Sequence, residues 1–494
     1  MMDQERIFFK AKVHFDEMLD ELQQAIAQGK PIEKVERSLW QNMLSVGQLL
    51  LQGYVDAQGS GDLGATLEHE GKTLRRLEQL HERRYMSVFG EIQICRTIYG
   101  SREKQAHELV PLDVRLNLPA SEFSYLLQEW NQAFCVQSSY AKSAQTIEQI
   151  LGIKQSIRSL EHMNRMMAEE AQEFHQSQPV PPPEEKGQII VMTADGKGVP
   201  MRRDSAAEEQ GSHGRRKKGE KANRKRQACV GAVYSIDRFP RYAEDVVDEV
   251  MRKEQQENRP SPQHKRMRAE LTLEMEGQEV QGKDKTFAWL AEEVAQRSRQ
   301  NENAVVCVMD GDRALWKKVE EYVPNAIRVL DLYHVLEYLW EAAYCFHAEG
   351  SEAAQDFVTK RLHQILEGKV GRVIGGLKQM QTKQRLTRSK HKQLQKVITY
   401  LENNRQYMAY DYYLTFGYPI GSGVVEGACR YLVKDRMELT GMRWKPEGAQ
   451  AMLSLRAVYL NGDWDAFQQY RITQQQEKLY PYRDTIEEKW KPAA

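Results

Sequence analysis

The chain lacks any apolar stretch approaching the length of a membrane span, which would need about 20 consecutive apolar residues. No membrane partner is therefore expected. The N-terminus, Met1 to Met18, alternates charge and apolarity and lacks the basic, apolar and cleavage regions of a signal peptide. Cysteine is sparse. The six are Cys95, Cys135, Cys229, Cys307, Cys345 and Cys429, and none form a Cys-x-x-Cys pair. This argues against a disulfide framework and against structural zinc, and for a reduced cytoplasmic setting. Net charge is also missing. Lys+Arg and Asp+Glu both number 70 among 494 residues, so any polyanion-binding surface must come from local charge rather than the bulk field.

What is present suggests several domains. Residues 1–80 read as a helical N-terminal region. Residues 81–178 read as a hairpin turning near Gly90, followed by a helix-turn-helix-like pair over 137–173. Gly152 ends the first helix of that pair and Ser156 caps the second. Such a pair is compatible with DNA binding, although a plain helical hairpin packed in a core is the commoner reading. Pro179, Pro181, Pro182 and Pro183 make a stiff linker. Beyond it, apolar runs predict strands at 188–194, 198–202, 228–236, 304–310 and 326–331, with helices at 286–299 and 312–322. Three strands followed by helix–strand–helix–strand is the order of a ribonuclease-H-like core, a mixed sheet with flanking helices. Its first part would be 187–334 and its last part 416–470. The intervening 335–415 contains no proline and predicts a helical insertion. Residues 471–494 read as a loosely packed polar tail.

Three acids occupy key points of that layout. Asp195 closes the run Ile189–Ala194, Asp310 closes Ala304–Met309, and Glu426 follows the Gly421-Ser422-Gly423 turn at a helix start. The intervals are 115 (310 − 195) and 116 (426 − 310) residues. Each acid alone has a bland reading: a turn Asp, a strand-end Asp, a Glu favoured by a helix dipole. Together they would hold Mg²⁺ or Mn²⁺, as two ions, since hard cations prefer carboxylate oxygens. Asp312 is expected to cap the next helix rather than bind metal. His334, after the fifth strand, is a further catalytic candidate.

Basic residues are concentrated in two places. Arg215, Arg216, Lys217, Lys218, Lys221, Arg224, Lys225 and Arg226 crowd one segment with Glu220 as its one acid. Arg430, Lys434, Arg436, Arg443 and Lys445 follow Glu426, with Trp444 among them. The first set would grip DNA phosphates. Trp444 could stack on a base, although core packing is the commoner role of tryptophan.

At these residues the chain resembles the DDE transposases of bacterial insertion sequences, closest to the Kra-type family. The segments that carry the resemblance are TADGKGVPM (193–201), VGAVYSID (230–237), VMDGDRALW (308–316), VLDLYHVLEYLW (329–340) and the stretch from Gly421 to Ala457. The resemblance implies a ribonuclease-H-like α/β core interrupted by a helical insertion and preceded by a mainly α-helical DNA-binding region. It implies metal-dependent strand cleavage and transfer at terminal inverted repeats, with Asp195, Asp310 and Glu426 as the catalytic triad. Double-stranded DNA, both element ends and target, would be the partner, engaged by a homodimer or larger assembly at the nucleoid. Relatives often carry a Cys-x-x-Cys pair after the hairpin; Tyr99–Lys104 has none, so no zinc is expected. The competing readings are a nuclease that cuts without joining and a catalytically silent DNA-binding descendant.

Overall fold

A computed structural model of the chain describes residues 7–69, 71–100, 109–182, 187–202, 225–252, 258–275, 278–298, 303–439 and 441–490. The chain divides into two compact units, Met1–Glu170 with Asp463–Ala494, and Ala171–Gly462.

In the first unit, long helices Phe9–Ala27 and Ile32–Ala57 precede a small antiparallel sheet and a hairpin. The hairpin pairs His81–Ser87 with Gly90–Arg96 and turns at Gly90, where φ is +117°. This is the turn that the sequence predicts. The helix pair is also where expected, at Tyr140–Leu151 and Ile157–Ser177. Ser139 caps the first helix, Gly152 ends it in the left-handed region, and the Ser156 hydroxyl accepts the Ser159 amide.

The terminal segment corrects the expectation of a loose tail. Helices Trp464–Leu479 and Arg483–Lys489 pack into this unit. Ile486 is buried with Leu67, Leu74, Tyr99 and Val114. Buried Arg471 donates to Glu170 at 2.5 Å and to Gln128 at 3.1 Å.

The second unit is mixed α/β around a five-stranded sheet. Its strands are β1 (Ile189–Pro200), β2 (Lys225–Ile236), β3 (Gln263–Leu271), β4 (Ala304–Met309) and β5 (Ile327–Leu330). The spatial order is β5-β4-β1-β2-β3. β4 runs parallel to both β1 and β5, whereas β2 runs antiparallel to β1 and β3. Two sequence expectations are corrected here. The runs 188–194 and 198–202 belong to one strand, since β1 pairs with β2 without a break from Ile189↔Ile236 to Pro200↔Lys225. The true third strand is β3, which carries too much charge to read as a strand.

Both faces of the sheet are covered, which is why β1 and β4 read as continuous apolar runs. One face carries Ile190, Met192, Cys307 and Met309 against Phe287, Leu290, Leu315 and Val319 of helices α1 (Gly282–Arg297) and α2 (Arg313–Tyr322). Gly231 permits that packing: a Cβ there would lie 2.7 Å from Thr286 Cγ2. The other face carries Ile189, Val191, Val306, Val308 and Val329. Residues 335–415 cover it, as helices α3 (Leu332–Ala343), α4 (Glu352–Leu366), α5 (Val370–Lys383), α6 (Arg388–Asn404) and α7 (Tyr410–Thr415). Among the described residues, no helix is long and apolar enough to cross a membrane.

Candidate active site

Strand register brings the two aspartates together. β4 pairs with β1 from Ala304↔Ile189 to Cys307↔Met192, a constant offset of 115. The interval from Asp195 to Asp310 is the same 115, so the register, continued three residues past the last pair, brings Asp310 toward Asp195, whose charge it senses. β5 continues the row. Met309 pairs with Leu330, and the Asp331 amide donates to the Met309 carbonyl at 2.8 Å. Alternation of side chains puts Asp195, Asp310 and Asp331 on the face of Val191, Val308 and Val329. Three carboxylates thus line the carboxyl edge of three adjacent parallel strands. Asp195 itself lies within β1, opposite Val230, rather than at the strand's end.

Each acid is held differently. Asp195 accepts its neighbour's amide, Gly196 N–H, at 2.6 Å, and the Cys429 thiol donates to its other oxygen at 3.3 Å. Burial and the Asp195 charge push the Cys429 thiol above its usual range. Asp310 accepts the Asp312 amide at 3.0 Å, and the Tyr400 hydroxyl pins its carbonyl at 2.7 Å. Gly311 makes this turn at φ +97°, a conformation that favours glycine. Asp312 caps α2, accepting the Ala314 amide at 2.7 Å, as the sequence predicts.

Glu426 lies in helix α8 (Gly423–Ala428) and is exposed. Burial of the carboxyl raises the Asp310 pKa above the usual carboxylate range, and the Asp195 and Asp312 charges add to it. Partial burial raises Glu426 likewise, with Asp331, Glu337 and Asp195 adding to it. The acids therefore sense one another, and His334 acts on both Asp310 and Glu426 in the opposite direction. The His334 Nδ1 is buried without a hydrogen-bond partner.

Ligand atoms of Asp331, His334 and Glu426 all lie within 4.8 Å of one another. Asp331, however, is already engaged. It is fully buried, it accepts the Tyr333 amide at 2.6 Å and the Ser422 amide at 2.8 Å, and the Ser422 hydroxyl also donates to it. Its carboxylate ties the end of β5 to the Gly421–Gly423 turn, and so fixes the start of the helix that carries Glu426. We assign it as a brace. Sequence reasoning missed this role. The rule that singled out Asp195 and Asp310, an acid after an apolar strand, applies equally to Asp331 after Ile327–Leu330.

Among the described residues, the group whose ligand atoms come together is that of Asp331, His334 and Glu426, and Asp195 and Asp310 are not part of it.

The basic residues are placed unevenly. Arg215, Arg216, Lys217, Lys218, Lys221 and Arg224 lie outside the described residues. Lys225 is exposed and pairs with Glu438; Arg226 is partly buried and donates to the Thr272 carbonyl at 3.0 Å. Arg430, Lys434, Arg443 and Lys445 are exposed. Arg436 and Trp444 are not, and the expectation that they contact DNA is corrected on that ground. Arg436 is fully buried, with its guanidinium 5.0 Å from the Trp444 ring. Trp444 is 6% exposed and donates to the Met437 carbonyl at 3.1 Å. Both serve the core that joins this segment to β1, where the Trp444 amide donates to the Pro200 carbonyl at 3.0 Å. The space beside Gly196, expected to admit a phosphate, is taken by the Gln227 side chain, 2.3 Å from where a Cβ would stand. No protein-family model matches the chain, and a search of curated proteins finds no match either.

Proposed function

We propose that the chain is a DDE-type transposase that cleaves and joins DNA strands at the terminal inverted repeats of an insertion sequence. One observation carries the reading: the shared offset of 115 that aligns Asp195 with Asp310 across parallel strands, on the side where Asp331 braces the Glu426 turn. The strand order, with β2 alone reversed, supports a ribonuclease-H-like core. The resemblance to Kra-type transposases supports the same assignment.

In this proposal Asp195, Asp310 and Glu426 hold Mg²⁺ or Mn²⁺. The bound ions would activate a water or 3′-hydroxyl and neutralise charge on the leaving oxygen. The protein's part is positioning. β1 and β4 fix the two aspartates, Tyr400 and Gly311 set the backbone at Asp310, and Asp331 sets the approach of Glu426. His334 stands beside the acids, with its Nδ1 buried and without a hydrogen-bond partner. Lys225, Arg430, Lys434 and Arg443 would contact phosphates. The Ile157–Ser177 helix, with Arg158, His162 and Arg165 exposed, would read the element's ends. Two copies would hold two ends together, in the cytoplasm at the nucleoid.

The test uses labelled duplexes from the DNA flanking the coding sequence on both sides, with Mg²⁺ or Mn²⁺. Cleavage and strand-transfer products are expected, and Asp195→Ala, Asp310→Ala and Glu426→Ala should each abolish both while duplex binding persists. Cleavage without joining would make the protein a nuclease. Binding without cleavage would make it a silent relative. Full activity in all three variants would overturn the site.

A further inference from the structure

The 34 residues from Gly368 to Leu401 contain nine Lys and Arg and not one Asp or Glu. In a chain whose charges balance, this is the longest departure from balance inside the helical insertion. All nine are exposed. Three have acidic partners from flanking sequence: Lys369 with Glu367 at 2.8 Å, Lys378 with Glu402 at 2.5 Å, and Lys396 with Glu341 at 3.3 Å. Five of the others, Lys383, Arg385, Arg388, Lys390 and Lys392, fall within ten residues at the α5–α6 turn, and no ion pair is found for them among the described residues.

This arrangement is costly to the isolated fold. The five charges repel one another. Arg388, Lys390 and Lys392 also occupy the first turns of α6, where the helix dipole disfavours cations. Local choices that oppose the fold mark surfaces kept for another purpose. The occupant that offsets the cost is a dense polyanion.

The direction of α6 says where that polyanion leads. Arg388, Lys392, Gln395, Lys396 and Thr399 line an open groove of about 1130 Å³ along the helix. The next residue, Tyr400, donates its hydroxyl to the Asp310 carbonyl at 2.7 Å. From Arg388 to Tyr400 is 12 residues and from Lys392 to Tyr400 is 8, or roughly 18 and 12 Å along a helix. Duplex DNA advances about 3.4 Å per base pair.

We propose that the Lys383–Lys392 turn grips the phosphate backbone of a DNA duplex about four to five base pairs from the paired aspartates, and that the α6 groove leads the backbone to them. The proposal rests on the transposase reading for its occupant and adds a surface which that reading does not contain.

The test uses the full chain with Lys383, Arg385, Arg388, Lys390 and Lys392 all changed to Gln, its fold checked by circular dichroism and melting temperature. Binding to a flanking-DNA duplex is measured with Ca²⁺, which holds back chemistry, over roughly 50 to 200 mM salt. The log–log salt slope should fall by about 0.9 for each phosphate that is no longer neutralised, up to about 4.5 for all five. Hydroxyl-radical footprints should lose protection four to five base pairs from the cleavage site and keep it at that site. An unchanged slope and footprint would overturn the clamp and leave the transposase reading intact. If the native protein bound no duplex, both would fall. If it bound anionic phosphatidylserine vesicles through the same five residues and showed no preference for duplex, the clamp would be overturned in favour of a lipid surface.

Discussion

Replacing Asp310 with Asn should stabilise the metal-free protein. The carboxamide is isosteric, and its oxygen can still accept the Asp312 amide now held at 3.0 Å. What disappears is one negative charge facing Asp195 from the neighbouring strand. Adjacent strands lie about 4.8 Å apart, and splayed carboxylates about 5 to 8 Å apart. At an effective dielectric near 20 their repulsion is roughly 2 to 3 kcal/mol, and in bulk water below about 1 kcal/mol. The site is partly open, so about 1 to 2 kcal/mol is the expected gain. A core unit of this size shifts by roughly 2 to 4 °C per kcal/mol, giving an increase of about 2 to 8 °C in EDTA. The sign with pH follows from the raised Asp310 pKa. A carboxyl easier to protonate in the folded state costs stability as pH rises through that pKa, and costs nothing below the ordinary carboxylate range. The advantage of Asp310→Asn should therefore vanish in acid. With Mg²⁺ at a hundred times its Kd, the native protein should gain about 2.7 kcal/mol, and the order of the two melting temperatures should reverse. Scanning fluorimetry with EDTA and with Mg²⁺ is sufficient. A variant that melts lower than native in EDTA, or a native protein that Mg²⁺ and Mn²⁺ leave unshifted, would refute a metal site built on Asp195 and Asp310.

Asp331→Asn should do the opposite and destabilise the protein by about 1 to 3 kcal/mol in urea unfolding, because its new amide group would face the Ser422 donors in a buried site. A stabilised variant would make Asp331 one of the repelling ligands rather than the brace. Asp312→Ala should lose about 1 kcal/mol of stability with its helix cap and retain cleavage; an inactive, well-folded variant would place Asp312 in the site. His175 has its pKa lowered to about 3, first by burial and then by the charges of Arg268 and Arg266. A lowered histidine pKa weakens the fold as pH drops below about 6.5, where the unfolded ring takes a proton. The residue is only partly buried, so the penalty should be about 1 to 2 kcal/mol by pH 4.5 rather than the full shift. His175→Leu should remove that part of the acid sensitivity, and a native-minus-variant difference constant from pH 7 to pH 4.5 would refute it.

The apolar runs of β1, β4 and β5 were legible because both sheet faces are buried, and a strand covered on both sides needs apolar residues throughout. The acids that end or interrupt those runs were legible for the same reason. β3 was not. Gln263-His264-Lys265-Arg266 opens an edge strand with charged residues exposed, a pattern that protects edges and hides them from hydrophobic periodicity. The break predicted inside β1 came from Gly196, Gly198 and Pro200, which ordinarily punctuate structure. Twelve paired positions with β2 override them. The terminal helices escaped notice because few apolar residues mark them: Ile486 joins an apolar cluster, while Arg471 bonds Glu170 and Gln128, a contact that a hydrophobic pattern cannot announce.

The site was legible only as a set of separate acids, because a sequence gives intervals and not registers. The 115-residue interval between Asp195 and Asp310 has no meaning until β4 is found parallel to β1 with the same offset. That coincidence also explains why Asp331 completes the row yet belongs to a different role. β5 continues the alignment by one strand, but its acid meets the Ser422 amide and hydroxyl, which tie the carboxylate to the Gly421–Gly423 turn. Position along the sheet edge therefore selects three candidate acids, and hydrogen bonding distinguishes them: Asp195 accepts from Gly196 and Cys429 and Asp310 from Asp312, whereas Asp331 is fully buried and holds the turn from which the helix of Glu426 starts.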